Sequence, residues 1–325
     1  MPSQLPFADL AFLGDSCSLP LDRPFTAATA RAEAGIDYRT LKRLVDQGLL
    51  HHPIRGVYVA AQVPDSVDLR CACLHLVVPP DAVVVDRHAG WLHGAEMVLA
   101  PGEHLALAPT AVFRPSGRGR VRNDLSVSGE RNLLPRDVME LDGLKVSTPI
   151  RTAWDLGRVR WPDRALPAID QMLRLQSFTK EEFLAGVERF RRTRWVTTLR
   201  AVAPLGDGRA ESPPESVLRL RWIEANLPTP TPQLEVWLLD RLLGRLDLGN
   251  EPMRYGAEYD GDEWHSSPEQ LVHDRRRRAE LADAGGFHVV AMRKHNLFGP
   301  QQNAEQILVM GAAEARRRFG IRLSS

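Results

Sequence analysis

Apolar residues recur at helical spacing in two short segments near the N-terminus, and each segment has its own start and stop signals. Thr26 is suited to cap a helix that runs to Ala34, where Gly35 follows. Asp37 is suited to cap a second helix that ends before Gly48. Two helices joined by so short a turn predict a helix-turn-helix unit.

The second helix combines an apolar side with cationic residues. Leu41 and Leu44 recur at the spacing of one helix face, and the other sides carry Arg39, Lys42 and Arg43. Such residues are typical of a helix that contacts DNA, but they are also typical of a solvated helix surface. Both interpretations remain open on this helix alone.

Residues 49–60, LLHHPIRGVYVA, favour the first interpretation. They form two short β-type runs joined by a turn that carries Arg55. A hairpin after a helix-turn-helix is typical of a winged helix, in which the second helix enters the major groove and cations of the wing contact phosphate. We therefore expect Arg39, Lys42, Arg43 and Arg55 to bind DNA.

Two changes in composition divide the rest of the chain. A soft one lies at residues 60–66, and a clearer one, rich in Gly and Pro, lies at residues 203–214 and is interpreted as a linker. The sequence thus predicts a mixed α/β protein with three domains: a winged helix over residues 1–62, a mixed α/β domain over 63–203 and a third α/β domain over 204–325.

The middle domain offers little catalytic chemistry. His88 and His93 are five residues apart, which is not the spacing of a metal pair on one helix face, so we interpret them as packing residues. Two basic segments, residues 114–122 and 189–195, are either nucleic-acid contacts or exposed turns.

Carboxylates are concentrated in the third domain. Ser212 and Pro213 predict the start of a helix with Glu215 in its first turn, either as an inward-facing acid or as an ordinary partner of the helix dipole. Three β-type runs follow, over residues 234–240, 244–250 and 253–265, and they predict a strand meander. Glu258 and Asp260 are two residues apart and would share a strand face.

An adjacent antiparallel strand would bring Asp247 to the same place. Three neighbouring carboxylates raise one another's pKa unless a cation lies among them, and oxygen ligands of this kind suit Mg²⁺ or Mn²⁺. Asp247, Glu258 and Asp260 are therefore candidate metal ligands in a site for phosphodiester hydrolysis.

The following segment supplies further candidate groups. Trp264 and His265 close the third β-type run. Four consecutive arginines on a predicted helix cover its circumference, and Arg275 and Arg278 are candidate DNA contacts.

Several of these motifs resemble known families. The helix-turn-helix with its closing RGVYVA (residues 55–60), DRHAGWLHGAEM (86–97) and GLKVSTPIRTAWDLGR (143–158) resemble AbiEi-type antitoxins over about residues 25–160. The resemblance implies a transcriptional repressor of its own operon, and a toxin as a protein partner.

The third domain resembles the PD-(D/E)xK restriction-endonuclease-like superfamily over about residues 210–298. AEYDGDEWH (residues 257–265) is similar to the branch of very-short-patch-repair endonucleases. The resemblance implies Asp247 and Glu258 as metal ligands, Asp260 as a ligand or its orienter, Glu215 as an auxiliary acid and His265 as the general acid or base. The sequence departs from the family pattern at residue 260, where Asp260 stands in place of the expected lysine.

Composition adds limits to this picture. Lys and Arg (42) nearly balance Asp and Glu (41), so the whole chain is not attracted to polyanions and contacts with DNA must come from local patches. Three cysteines, no basic leader and no apolar run of about 20 residues indicate a cytoplasmic protein without a membrane span.

Taken together, the sequence predicts a Mg²⁺- or Mn²⁺-dependent DNA endonuclease targeted by a winged helix, in phage defence or in the processing of foreign or mismatched DNA. A homodimer is expected if it cuts both strands. The alternative is an AbiEi-like antitoxin and autorepressor whose nuclease-like domain is inactive.

Overall fold

The computed structural model describes residues 13–14, 17–95, 109–122, 125–261 and 280–321. It confirms a mixed α/β protein, with three sheets among these residues. The backbone divides into two compact units, Met1–Asp155 and Leu156–Ser325. The predicted boundaries near residues 62 and 203 lie inside these units, and the three-domain division stays a prediction.

The first unit begins with the predicted helix-turn-helix and hairpin. Its elements are β1 (Phe25–Thr26), α1 (Ala27–Ala34), α2 (Tyr38–Asp46), β2 (Leu50–Ile54) and β3 (Val57–Ala60). The Thr26 hydroxyl accepts the amide of Thr29 at 3.1 Å, and the Asp37 carboxylate accepts the amide of Thr40 at 2.8 Å. Both caps are therefore the predicted ones. The strands form a sheet in the order β1-β3-β2.

The rest of this unit is built on a five-stranded mixed sheet. Its elements are α3 (Val67–His75), β4 (Val83–Val84), α4 (Asp86–Leu92), β5 (Thr110–Pro115), β6 (Ser126–Arg131), β7 (Val138–Leu141), β8 (Leu144–Ser147) and α5 (Pro149–Gly157). The strand order is β6-β5-β4-β8-β7. The core of this sheet is shared with the wing, because Ile54 and Val57 of the hairpin belong to the same buried cluster as Val112 and Val146.

The second unit joins a helical part to a four-stranded sheet. Its elements are α6 (Pro162–Arg174), α7 (Lys180–Gly186), α8 (Val196–Val202), α9 (Pro213–Glu224), β9 (Thr231–Leu238), β10 (Arg241–Asn250), β11 (Tyr255–Tyr259), β12 (His288–Met292), α10 (Lys294–Leu297) and α11 (Ala304–Phe319). The strand order is β12-β11-β10-β9, with β9, β10 and β11 antiparallel and β12 parallel to β11. The predicted meander is thus present.

Residues 203–214, interpreted from their composition as a linker, pack closely within the second unit. A Cβ atom on Gly208 would lie 2.9 Å from the backbone of Leu173 and Arg174, so the chain passes directly against the end of α6. Ala210 is 2% exposed, and the amide of Asp207 is bound by a carboxylate of α6. Glycine at residue 208 serves this close approach.

Candidate functional site

Helix α2 turns its cationic residues outward. Leu41 and Leu44 are fully buried, whereas Arg39, Lys42 and Arg43 are exposed. Because positions i, i+3 and i+4 lie on one side of a helix, these three form a single cationic face. None of the three has an ion-pair partner among the described residues.

The wing presents Arg55 in a fixed turn. The amide of Gly56 donates to the His52 ring at 3.2 Å, and that ring stacks on Tyr58 with centroids 4.5 Å apart. Burial lowers the pKa of His52, which keeps the ring neutral and able to accept this hydrogen bond. Arg55 itself is exposed. The predicted DNA contacts Arg275 and Arg278 lie outside the described residues.

A buried ionic network in the first unit was not anticipated from the sequence. Arg131 bonds Asp86 at 2.6 Å and Asp155 at 3.0 Å. Arg151 bonds Asp155 at 2.9 Å and Asp137 at 2.7 Å. The side chains of Arg151 and Asp155 are 2% and 0% exposed. Positive and negative groups alternate along this chain of contacts, so each buried charge is compensated.

The network uses both motifs that resemble the antitoxins. Asp86 opens the first motif at residue 86, and Arg151 and Asp155 lie four residues apart in the second. That spacing was a signal for a helical ion pair, but its partners Asp137 and Arg131 are distant in sequence. These motifs therefore support the fold of the unit.

His88 and His93 have the packing roles that the sequence predicts. The Nδ1 atom of His88 accepts the amide of Ala111 at 3.3 Å, and burial lowers the pKa of His88 to about 4. His93 donates from Nε2 to the carbonyl of Ser147 at 2.7 Å. Both rings are thus fixed by backbone groups of neighbouring strands.

In the second unit, two of the candidate metal ligands lie on neighbouring strands. Leu248 pairs with Ala257, and this register, continued by one residue, sets Asp247 opposite Glu258. The carboxylate of Asp247 accepts the amide of Tyr259 at 2.7 Å. Glu258 is 4% exposed. The adjacency expected from the meander is therefore present.

Glu215 combines the two roles that the sequence left open. Its carboxylate accepts the Ser212 hydroxyl at 2.7 Å and the amide of Glu211 at 2.8 Å, as expected at the start of a helix. It also accepts the Gln233 side chain at 2.7 Å. Gln233 lies on β9 at the position that the pairing with β10 sets across from Asp247. Glu215 thus reaches the same part of the sheet.

Asp260 follows the last residue of β11, and its amide donates to the carbonyl of Met292 at 2.7 Å. His265 lies outside the described residues. Within the described ranges, no group of three or more His, Cys, Asp or Glu side chains is arranged to hold a metal ion. The predicted Mg²⁺ or Mn²⁺ ligand set therefore stays a prediction.

Three further observations concern the class of protein. Cys17, Cys71 and Cys73 are buried free thiols. None of the helices within the described residues is long and apolar enough to span a membrane. A capped helix-turn-helix with an arginine-tipped wing, joined by a common core to a mixed sheet, defines a winged-helix protein.

Comparison with known proteins identifies the family. Residues 22–61 match the family described as "Transcriptional regulator, AbiEi antitoxin", and residues 82–205 match the "AbiEi antitoxin C-terminal domain". The chain belongs to the AbiEi antitoxin family. Both matched ranges end by residue 205, so the endonuclease-like resemblance rests on motifs in the remaining residues.

Two mycobacterial relatives share most of the chain. They are "Uncharacterized protein MT2308" and "Uncharacterized protein Rv2248", from the CDC 1551 / Oshkosh and the ATCC 25618 / H37Rv strains of Mycobacterium tuberculosis. Each is 31% identical over 230 residues, which is 71% of this chain and 80% of the relative.

Proposed function

We propose that the protein is a sequence-specific DNA-binding regulator that represses its own operon. The observation that carries this proposal is the exposed cationic face of α2 beside the wing. Arg39, Lys42 and Arg43 lie on one side of a capped helix, and Arg55 projects from a turn held by His52. This arrangement suits a helix in the major groove and a wing on the phosphate backbone.

The family membership supports a further part of the proposal, that the chain acts as an antitoxin. The partner would then be a toxin protein encoded in the same operon. Expression of the neighbouring gene alone should arrest growth, and expression of this chain should relieve the arrest. Relief that persists in an Arg39→Ala/Arg43→Ala variant would separate antitoxin action from DNA binding.

The DNA-binding proposal is tested by fluorescence anisotropy at about 0.15 M salt. The probes are duplexes from the region upstream of the protein's own gene and a scrambled duplex of equal length. Arg39→Ala and Arg43→Ala should each weaken binding to the upstream duplex by about 1–3 kcal/mol if the side chain contacts a base edge. Binding to the scrambled duplex should change less.

Arg164→Ala is the matched control, because Arg164 is also exposed but lies in the second unit. It should leave the affinity for the upstream duplex unchanged. Equal affinity of the wild type for both duplexes would overturn the regulator proposal.

A second candidate function, metal-dependent cleavage of DNA, rests on the pairing of Asp247 with Glu258 across β10 and β11. Supercoiled plasmid and single-stranded DNA are incubated with the protein in Mg²⁺, Mn²⁺ or EDTA. Cutting that needs the metal and is lost in both Asp247→Ala and Glu258→Ala supports it. No cutting by a wild-type protein that binds DNA overturns it and leaves a regulator.

A further inference from the structure

The basic segment at residues 114–122, here named the arginine loop, has a fixed backbone. The carboxylate of Glu130 accepts the amides of Gly117, at 3.1 Å, and of Gly119. These two hydrogen bonds lower the pKa of Glu130, so it is ionised at neutral pH. The amide of Val121 donates to the Ser128 hydroxyl at 2.9 Å.

Arg114 holds the same loop from its first residue. Its guanidinium donates to the carbonyl of Arg120 at 3.2 Å and pairs with Asp81 at 2.8 Å. The loop is therefore tied to strand β6 through Glu130 and closed on itself through Arg114. Its shape does not depend on the remaining arginines.

Those remaining arginines point to solvent. Arg118, Arg120 and Arg122 are exposed, and within the described part of the chain none of them forms an ion pair. Glycines alternate with two of them, and residues 114–122 contain no acidic side chain. Glu130 is the carboxylate that binds the loop backbone, and the three exposed guanidinium groups leave a local positive charge.

The loop lies next to the wing. A Cβ atom on Gly56 would lie 2.8 Å from the Cδ2 atom of Leu125, so the turn of the wing contacts the chain three residues beyond the loop. Ile54 and Val57, which flank the wing turn, belong to the same buried cluster as Val121. Arg55 and the arginines on either side of Val121 thus project from one apolar base.

We propose that the arginine loop is a second DNA-contacting element, which binds backbone phosphates of the duplex next to the wing. This rests on the proposed DNA-binding function and adds to it a contact outside the winged helix. Guanidinium groups suit phosphate oxygens, and a fixed loop loses little conformational entropy when it binds. The contact would raise affinity without selecting sequence, because phosphates are the same at every base step.

The experiment compares salt dependence in two variants that lose equal charge. One is Arg118→Gln/Arg120→Gln/Arg122→Gln in the loop. The other is Arg160→Gln/Arg164→Gln/Arg241→Gln, which removes three exposed arginines of the second unit. The probes are a duplex selected by the wild-type protein from a random library and a scrambled duplex, each measured from about 0.05 to about 0.4 M salt.

In the loop variant, log K should fall less steeply with log salt than in the wild type. The steepness should decrease by about 0.9 for each phosphate that the variant no longer binds, so by about two to three in total. Its affinity should fall for both duplexes by the same factor, so that the ratio between them is kept. The control variant should keep the wild-type slope.

Equal slopes for the wild type and the loop variant would overturn the inference, as would equal reductions of slope in the two variants. A wild type that selects no duplex from the library would instead overturn the regulator proposal, which the Arg39→Ala/Arg43→Ala variant tests separately. Circular dichroism of each variant shows whether it is folded. Arg118→Lys/Arg120→Lys/Arg122→Lys should have the wild-type slope, because lysine keeps the positive charge.

Discussion

Asp170, on α6, and Arg219, on α9, form an ion pair that is closed off from solvent. Their side chains are 0% and 5% exposed. The same carboxylate accepts the amide of Asp207 at 2.8 Å, and the guanidinium donates to the carbonyl of Leu205. One pair of side chains thus connects two helices and the segment between them.

Removal of Asp170 should destabilise the second unit strongly. Asp170→Ala leaves the Arg219 charge buried without its partner, which typically costs about 3–5 kcal/mol. Urea denaturation followed by circular dichroism measures the loss. Asp163→Ala is the control, because Asp163 lies on the same helix, is 37% exposed and pairs with Arg221 at 3.3 Å; it should cost less than about 1 kcal/mol. Similar losses in the two variants would contradict the role of burial.

Removal of Arg151 should have a comparable effect in the first unit. Arg151→Met removes the guanidinium that pairs with both Asp137 and Asp155 in the interior, and we expect a loss of about 3–5 kcal/mol in the free energy of unfolding. Arg151→Lys should lose less than Arg151→Met, because it keeps the charge but not both hydrogen-bonding arms. A lysine variant as unstable as the methionine variant would mean that geometry, not charge, dominates.

Acid should destabilise the protein through His88. The pKa of His88 is about 4 in the folded state and about 6.5 in the unfolded chain. Between these values the unfolded state binds the proton and the folded state does not, so stability is present above about pH 6.5 and is lost as the pH falls toward about 4. The contribution amounts to about 3 kcal/mol.

The His88→Gln variant tests this assignment. When the pH falls from about 6.5 to about 4, its free energy of unfolding, measured by urea titration, should fall by about 3 kcal/mol less than that of the wild type. The raised pKa of buried Asp170 acts in the opposite direction, but it does so in both proteins and does not affect this difference. If the stability of the His88→Gln variant has the same pH dependence as that of the wild type, His88 is not the group responsible for it.

The wing turn should not tolerate a side chain at residue 56. Gly56 has φ of 84°, and a Cβ atom there would lie 2.8 Å from Leu125. Gly56→Ala should cost more than Gly48→Ala, because Gly48 has φ of 72° but a Cβ atom there would meet nothing within 4 Å. Each left-handed alanine costs about 1 kcal/mol or more, and the excess at residue 56 should vanish when Leu125→Ala is added. Thermal melting of Gly48→Ala, Gly56→Ala, Leu125→Ala and the Gly56→Ala/Leu125→Ala double variant measures these differences.

Local features of the fold were predictable because their signals lie within a few residues. Thr26 and Asp37 cap the helices that the spacing predicts, and the hairpin and the C-terminal meander follow from β-type runs between turn residues. The pairing of β1 with β3 and the packing of residues 203–214 depend on partners distant in sequence. Gly- and Pro-rich composition indicates irregular backbone, but it does not tell a linker from a packed segment.

In the candidate sites, too, the features that depend on neighbouring residues were predictable, and those that depend on distant residues were not. The outward face of α2 follows from helical periodicity, and the nearness of Asp247 to Glu258 follows from strand periodicity and a short turn. The Arg131 and Arg151 network was not visible, because each of its contacts but one joins residues far apart in the chain. The roles of Asp260 and His265 stay predictions.

The carboxylate of Glu130 allows the sequence of the arginine loop to vary. Because this group fixes the arginine loop from within, residues 118, 120 and 122 can be exchanged without altering the shape of the backbone that carries them. Residence time on DNA could then be adjusted one charge at a time at these three positions. The choice of operator would depend on α2, so the affinity for DNA and the DNA sequence that is recognised would be set by separate parts of the chain.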